Sequence, residues 1–309
     1  MKMNAIWFRR FTYSVSLKLI RQKLSERRDL ESIEFARKEM KRHLLKKRTE
    51  GKRYHPIILE NISDGDVVLD VGCGTASRSI GLVRSKRVYS IGVDIDKNSL
   101  SLAKAEIKKG SLGIIELIVA DANFLPLRRD SVSVTIFNAA LHHLPYTWKE
   151  ILEETYQVLK EGGKLIVKEP CSMNPMYAAG TRILRSKFGL FFAASKREQH
   201  LARYDEGQIA FKPDELKQRL EEAGFSIEME RFLDFIEMPL RRAAKKSRQP
   251  YSLVFKLLTY FTKPLDYIME RIPVIQKYCS IIIVVCKKSN SRSHDNVWFK
   301  YVTHSCKIN

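Results

Sequence analysis

The sequence predicts an α/β fold, a mostly parallel seven-stranded sheet with helices on both faces. Three observations predict it. From Val67 onward, short apolar runs rich in Val and Ile alternate with stretches of helical periodicity, the pattern of parallel strands joined by crossover helices. The first run leads directly into a glycine turn, Asp70-Val71-Gly72-Cys73-Gly74. Polar side chains that can bind a ligand, Asp94, Asp121 and Asn138, then stand at the ends of the next three runs.

Strands are expected over residues 67–71, 88–93, 114–120, 132–138, 164–168, 226–232 and 279–286. Helices are expected over 76–84 and 97–109. The next helix has the clearest boundaries. Thr147 and Glu150 have the spacing of a capping box, Trp148, Ile151, Leu152, Thr155 and Leu159 share one face, and Gly162-Gly163 would stop it. A further helix opens with Pro213 and ends at Gly224, with Leu216, Leu220 and Ala223 inward.

Around this core, residues 1–60 read as a basic helical arm. Trp7, Phe11, Val15 and Leu19 recur at four-residue spacing among Lys and Arg, and residues 27–53 are dense in basic side chains. Residues 61–289 are expected to form the main domain. It carries two long insertions, 171–212 and 237–278, each far longer than an ordinary connection. Both leave the sheet at the carboxyl ends of strands, where open α/β sheets bind ligands, so both are expected to be helical and to build a lid or chamber. The polar, aperiodic tail 290–309 is expected to be disordered.

The chain has 309 residues, of which 44% are hydrophobic, enough for a substantial core and against a wholly disordered chain. Lys and Arg number 55 against 35 Asp and Glu, a formal net charge of +20. Such a field favours anionic partners: nucleic acid, an anionic membrane surface or an acidic substrate. No apolar run is long enough to span a bilayer, and Arg9, Arg10 and Lys18 interrupt the N-terminal apolar stretch, against a secretory signal. A cytoplasmic protein, with room for peripheral membrane contact, is expected. Cys73, Cys171, Cys279, Cys286 and Cys306 form no C-x-x-C pair. They read as free thiols, and no metal site is expected.

The chemistry concentrates at the strand ends. Gly72 and Gly74 allow a tight turn and close approach of a ligand to the backbone, at the start of a helix whose first N–H groups are unpaired. Asp94, followed by Ile95, lies about 20 residues past the turn, where a carboxylate can accept from both hydroxyls of a ribose. Asp121, followed by Ala122, can accept from an adenine amino group. Each feature alone is also ordinary turn chemistry, but all four fall on one rim of the sheet.

With these residues in view, the sequence resembles the class I S-adenosylmethionine-dependent methyltransferases, within them the ubiquinone/menaquinone-biosynthesis group. The matching stretches are VVLDVGCGTA, GVDID, VADANFLPLRRDSVSVTIFNAALHHLP, VLKEGGKLIVKEP and FKPDELKQRLEEAGF. The resemblance implies a Rossmann-like sheet whose last strand, 279–286, is antiparallel. It implies S-adenosylmethionine as cofactor, its methionine part at Asp70, Gly72 and Gly74, its ribose at Asp94, its adenine at Asp121 and Ala122, and its sulfonium beside Asn138. Cys73 fills a variable position within the turn. A dinucleotide dehydrogenase would want a third glycine where Ser77 stands, and Asp70 would repel a pyrophosphate.

Candidate proton acceptors are His142 and His143, the His pair just past the fourth strand; Glu169, His200 and Cys171 are weaker candidates. For the acceptor, a lipophilic small molecule met at a membrane surface fits the apolar runs 188–192 and 251–261 with Arg241, Arg242, Lys245 and Lys246 alongside. RNA is the alternative, with the arm 27–53 gripping phosphates and Tyr54 as the one aromatic near its densest part. A cofactor-binding scaffold without catalysis is a further alternative.

Overall fold

A computed structural model of the chain describes residues 54–107, 114–144, 147–176, 179, 211–247 and 249–289. The arm before residue 54, most of the insertion expected at 171–212 with His200 and the run 188–192, and the tail 290–309 lie outside the described residues.

The described elements are α1 (Pro56–Glu60), β1 (Val67–Val71), α2 (Ser77–Ser85), β2 (Tyr89–Asp94), α3 (Lys97–Ile107), β3 (Ile114–Val119), β4 (Val132–Asn138), a 3₁₀ turn (Leu141–His143), α4 (Trp148–Val158), β5 (Leu159–Pro170), α5 (Pro213–Glu222), β6 (Phe225–Leu233), α6 (Glu237–Lys246), α7 (Tyr251–Met269), α8 (Pro273–Gln276) and β7 (Ile281–Lys288). The seven strands lie in the order β3-β2-β1-β4-β5-β7-β6. β1 to β5 are parallel, and β7 runs antiparallel to both β5 and β6. The expected sheet and its reversed last strand are both present.

Strand order reverses between β1 and β4. Chain flow moves outward from β1 to β3, then jumps to the other side at β4. Such a switch point opens a crevice above the carboxyl ends of the two strands.

The side-chain alternation of buried strands explains the layers. Leu69, Val71, Ile91, Val93, Phe137, Leu165, Val167, Ile282 and Val284 face one core with Ile151 and Leu152 of α4 and Leu216 and Leu220 of α5. Val68, Val134, Ile136, Ile166, Ile283 and Val285 face the other with Leu82 of α2 and with Tyr54, Ile58 and Ile62. Residues 54–60 of the expected arm therefore belong to the core.

Several expected boundaries move. β2 sits one residue later, so Asp94 closes the ladder opposite Val119. Thr147 makes no side-chain capping bond, and α4 ends at Val158 rather than at the glycine pair. Leu159 is already extended and pairs with Val132 of β4. The glycines serve an irregularity inside β5: Gly162 has φ +69, and a Cβ on Gly163 would lie 2.8 Å from the Lys160 carbonyl. A glycine pair signals either a helix stop or a strand kink, and here the distant partner β4 decides. The insertion expected at 237–278 is helical, formed by α6, α7 and α8.

Candidate cofactor and active site

The turn after β1 is built on left-handed backbone. Gly72, Gly74 and Ala76 have φ of 70°, 56° and 47°. Gly72 and Cys73 both donate N–H to the Val93 carbonyl, at 2.8 and 3.1 Å. Gly72 must be glycine, because a Cβ there would lie 2.7 Å from the Ala140 Cβ. The turn is thus pressed between the ends of β2 and β4. The N-cap of α2 is Ala76, with no side chain to bond the first amides. The positive end of α2 is therefore open to a ligand at the rim. Cys73 packs over Gly92, where an added Cβ would meet Sγ at 2.9 Å.

Asp70 lies beneath this turn and is buried. Its Oδ2 accepts from Ser79 Oγ at 2.5 Å. Burial raises the carboxyl above its ordinary value, and Ser79, Tyr54 and Arg78 oppose that only in part. Tyr54 is buried beside it, and burial with the Asp70 charge pushes the phenol well above its ordinary value.

Asn138, at the end of β4, is engaged by Arg78. With its amide oxygen toward the guanidinium it accepts from Nε at 3.2 Å and Nη1 at 2.9 Å. Lys168 pairs in register with Asn138 on the neighbouring strand. Its ammonium is lowered from the ordinary value by burial, with Arg78 adding to the effect.

Asp94 holds the turn from the side. Its Oδ2 accepts from Gly74 N at 2.7 Å and its Oδ1 from Asp96 N at 2.8 Å. Ile95, next along, is 55% exposed. After β3, Asp121 Oδ1 accepts from Asn123 N at 3.0 Å and Asn123 Nδ2 at 2.7 Å. Ala122 packs against the core, and Phe124 is 60% exposed. Two large apolar side chains, Ile95 and Phe124, thus stand in solvent beside the Asp94 and Asp121 carboxylates, a suitable edge for a flat heterocycle.

The loop after β4 is clamped by Glu169 from β5. One oxygen, Oε1, accepts from Ala140 N at 2.9 Å and Leu141 N at 2.8 Å. The other, Oε2, lies 2.6 Å from His142 Nδ1. Glu169 and His142 are both buried. A carboxylate on Nδ1 fixes the ring and the tautomer that leaves Nε2 as acceptor. His143 is exposed, its ring centroid 4.0 Å from that of His142.

Asp70, Gly72, Cys73, Gly74, Asp94, Ile95, Asp121, Ala122, Asn138, His142 and His143 all fall at or just beyond the carboxyl ends of β1 to β4. Cys171 does not share this role. It is buried with its backbone bridged to Phe211, and burial pushes its thiol up to about 12. Such a thiol is protonated and inert. Glu169, a weaker candidate by sequence, is the centre of the clamp. Arg78 and Lys168 were not singled out by sequence. The position of Arg78 in the first turn of α2, just past the glycine turn, was the available signal.

Residues 69–167 match a family model described as a methyltransferase domain. The chain is 31% identical over 178 residues to a demethylmenaquinone methyltransferase of Geobacillus sp. (strain WCH70), covering 53% of this chain and 73% of the relative. It is 31% identical over 179 residues to a demethylmenaquinone methyltransferase of Listeria monocytogenes serotype 4b (strain CLIP80459), covering 54% and 73%. Among solved structures, the [4+2]-cyclase SpnF superposes with a TM-score of 0.52 at 16% identity, covering 75% of this chain and 78% of that one. That likeness shows the fold, and a fold hosts more than one chemistry. By the matched domain and these relatives, the chain belongs to the class I S-adenosylmethionine-dependent methyltransferases of the ubiquinone/menaquinone type, enzymes whose cofactor is S-adenosylmethionine.

Proposed function

We propose that the protein methylates a small lipophilic acceptor, with the cofactor at the β1–β4 rim and His142 taking the acceptor's proton. The observation that carries this reading is the convergence of the glycine turn, the open α2 N-terminus, Asp94, Asp121 and the His142–Glu169 pair at the switch point of the sheet.

The residues fit the cofactor. Asp70, Gly72 and Gly74, with Cys73 between them, would hold its methionine part. The buried Asp70 charge suits an ammonium. Asp94 and Ile95 would take the ribose, Asp121 and the Ala122 backbone the adenine, and Asn138 would flank the sulfonium. When bound, S-adenosylmethionine supplies an electrophilic methyl group on a positively charged sulfur. The protein's own contribution is then alignment in a dry site, for which orientation supplies on the order of 7–11 kcal/mol. Where the acceptor must lose a proton, Nε2 of His142 accepts it while Glu169 holds the imidazolium from Nδ1.

The relatives are named for methylating demethylmenaquinone, which supports a lipophilic ring as acceptor class. RNA loses its aromatic contact, since Tyr54 is buried in the core. Among the described residues no helix is long and apolar enough to cross a membrane. In this reading the methyltransferase domain is 61–289 together with 54–60, which share its core.

The test is mass spectrometry of total lipid and RNA extracts after incubation with protein and cofactor labelled on the methyl group. Label in the lipid fraction is expected; label confined to RNA overturns the acceptor class. Separately, Asp94→Ala is expected to abolish calorimetric cofactor binding, and unchanged affinity overturns the site.

A further inference from the structure

We infer that the outward face of α7, continued by α8, is a docking surface for an anionic lipid bilayer. The inference deepens the lipophilic-acceptor reading and rests on it only for its biological use. Its physical basis is separate.

Helix α7 is amphipathic in the reverse sense. A helix on a globular protein normally turns its apolar stripe inward. Here the side turned to the protein carries Ser252, Phe255, Thr259, Thr262, Asp266 and Met269, at alternating three- and four-residue spacing, all buried or half-buried. Polar bonds hold that side down. Ser252 Oγ donates to the Ala244 carbonyl of α6 at 2.7 Å. The Asp266 carboxylate accepts from Ile236 N and Glu237 N, both at 2.6 Å, and so caps the N-terminus of α6.

The opposite side is apolar and in solvent. Leu253, Val254, Leu257, Leu258, Tyr260, Phe261, Leu265, Tyr267 and Ile268 are all exposed, Tyr260 and Phe261 by 73% and 76%. Ile272 and Val274 extend the surface past the helix end, Val274 at 74% exposure. Isolated exposed apolar residues need no explanation, but a continuous face of this size does. An arrangement that buries Thr and Asp while presenting Leu, Phe and Tyr has its apolar side matched to a medium other than water.

The charges say which medium. Between Tyr251 and Tyr278 the acidic residues are Asp266 and Glu270, and both are turned inward onto backbone amides, Glu270 onto Asp234 N at 2.8 Å. The basic residues are Lys256, Lys263, Arg271 and Lys277, and all are exposed. The Arg271 guanidinium sits 3.3 Å above the Tyr267 ring, and Lys263 lies 5.8 Å from that of Tyr260. Aromatic rings with cations at the edge of an apolar face suit the boundary between acyl chains and headgroups. Between α6 and α7 an open cleft of about 380 Å³ carries Lys256 at its edge and Arg241, the latter paired with Glu237 at 2.6 Å. A second copy of the chain would bring like charges together at the rim of such a face, whereas anionic headgroups complement them.

The experiment is flotation of the full-length protein with vesicles of phosphatidylcholine and phosphatidylglycerol (3:1) and of phosphatidylcholine alone, across a salt series. Size-exclusion with light scattering and calorimetric cofactor titration accompany it. The wild-type protein is expected to float with the anionic vesicles and to lose recovery as salt rises. The double variant Leu257→Gln/Phe261→Glu is expected to lose recovery at least about tenfold, and Lys263→Gln/Arg271→Gln to lose it and to flatten the salt dependence. Both are expected to keep wild-type cofactor affinity, which shows that they fold. Wild-type protein that stays at the bottom overturns the inference. So does a Leu257→Gln/Phe261→Glu variant that floats undiminished, since another element then binds. So does a wild-type dimer that the same substitutions convert to monomer without changing flotation. Methylation of a detergent-dispersed acceptor tests the acceptor class independently of any of these results.

Discussion

Replacing Glu169 in two ways separates its two duties. Glu169→Ala removes the acceptor for Ala140 N and Leu141 N and the partner of His142 Nδ1. Each buried group left without a partner costs about 1–3 kcal/mol. Three such groups, partly rehydrated through the space left by the side chain, give a loss of about 3–6 kcal/mol. Net stability is typically about 5–15 kcal/mol, so this variant is expected to unfold many degrees lower. Glu169→Gln is a milder change to the fold. Its carbonyl oxygen can still accept both backbone amides, at a cost of about 1–2 kcal/mol for the lost charge assistance. Its amide nitrogen then faces His142 Nδ1 as a donor. That moves the ring proton to Nε2, the atom proposed to accept the proton. Differential scanning calorimetry and single-turnover methyl transfer at saturating cofactor read the two effects. The Gln variant is expected to melt near wild type, to bind cofactor within a few-fold, and to turn over at least about 10²-fold more slowly. Turnover within a few-fold of wild type would remove His142 as the base. An Ala variant as stable as wild type would remove Glu169 as the clamp.

Gly72→Ala forces a side chain onto φ +70 and places its Cβ 2.7 Å from Ala140 Cβ. The left-handed backbone alone costs about 1–2 kcal/mol, and the displaced Ala140 is held by the same clamp, so a lower melting temperature and weaker calorimetric cofactor binding are expected together. Unchanged affinity would place the cofactor elsewhere. Asp70→Asn is expected to stabilise the apoprotein at neutral pH while weakening cofactor binding. Burial raises the folded carboxyl above its ordinary value, so stability present below the ordinary carboxyl range is lost as pH rises through the folded pKa. The variant lacks this loss, and its melting temperature relative to wild type is expected to climb as pH rises above the ordinary carboxyl range. A pH-independent difference contradicts the assignment.

What the sequence made legible is local. Val67 to Asn138 could be laid out in order because β-branched runs, a glycine turn and strand-end carboxylates each announce themselves within a few residues. The pairing partners were not announced. Leu159 has helical spacing from Ile151 and Thr155, and only its contact with Val132 makes it strand. Arg78 has a signal in its place just past the glycine turn, but nothing nearby in the chain names Asn138 as the group it reaches. Lys168 reads as one more basic residue until β4 and β5 lie side by side. For α7, an apolar run is visible in the residues but not the way it faces, because the polar positions are just as periodic. The bonds to Ala244, Ile236 and Glu237 decide the orientation.

The placement of backbone strain ties the clamp to the cofactor rim. Among the described non-glycine residues, left-handed φ falls on Ala76, Asp130, Ala139 and Asp234. Ala76, Ala139 and Asp234 stand just past β1, β4 and β6, at the carboxyl edge, while Asp130 precedes β4. At the amino edge, the turns before β1 and β6 carry glycines, Gly65 and Gly224. An alanine in this conformation persists only where its surroundings over-determine it. At Ala139 they do: its N–H donates to the Lys168 carbonyl at 2.7 Å, and the next two amides belong to Glu169. The same segment touches Gly72 through Ala140 and carries His142. The glycine turn and the loop that holds the proposed base therefore meet at one contact. Because three successive amides of that loop are bonded to β5, the contacts that enforce the strained backbone at Ala139 are the same ones that fix the imidazole of His142.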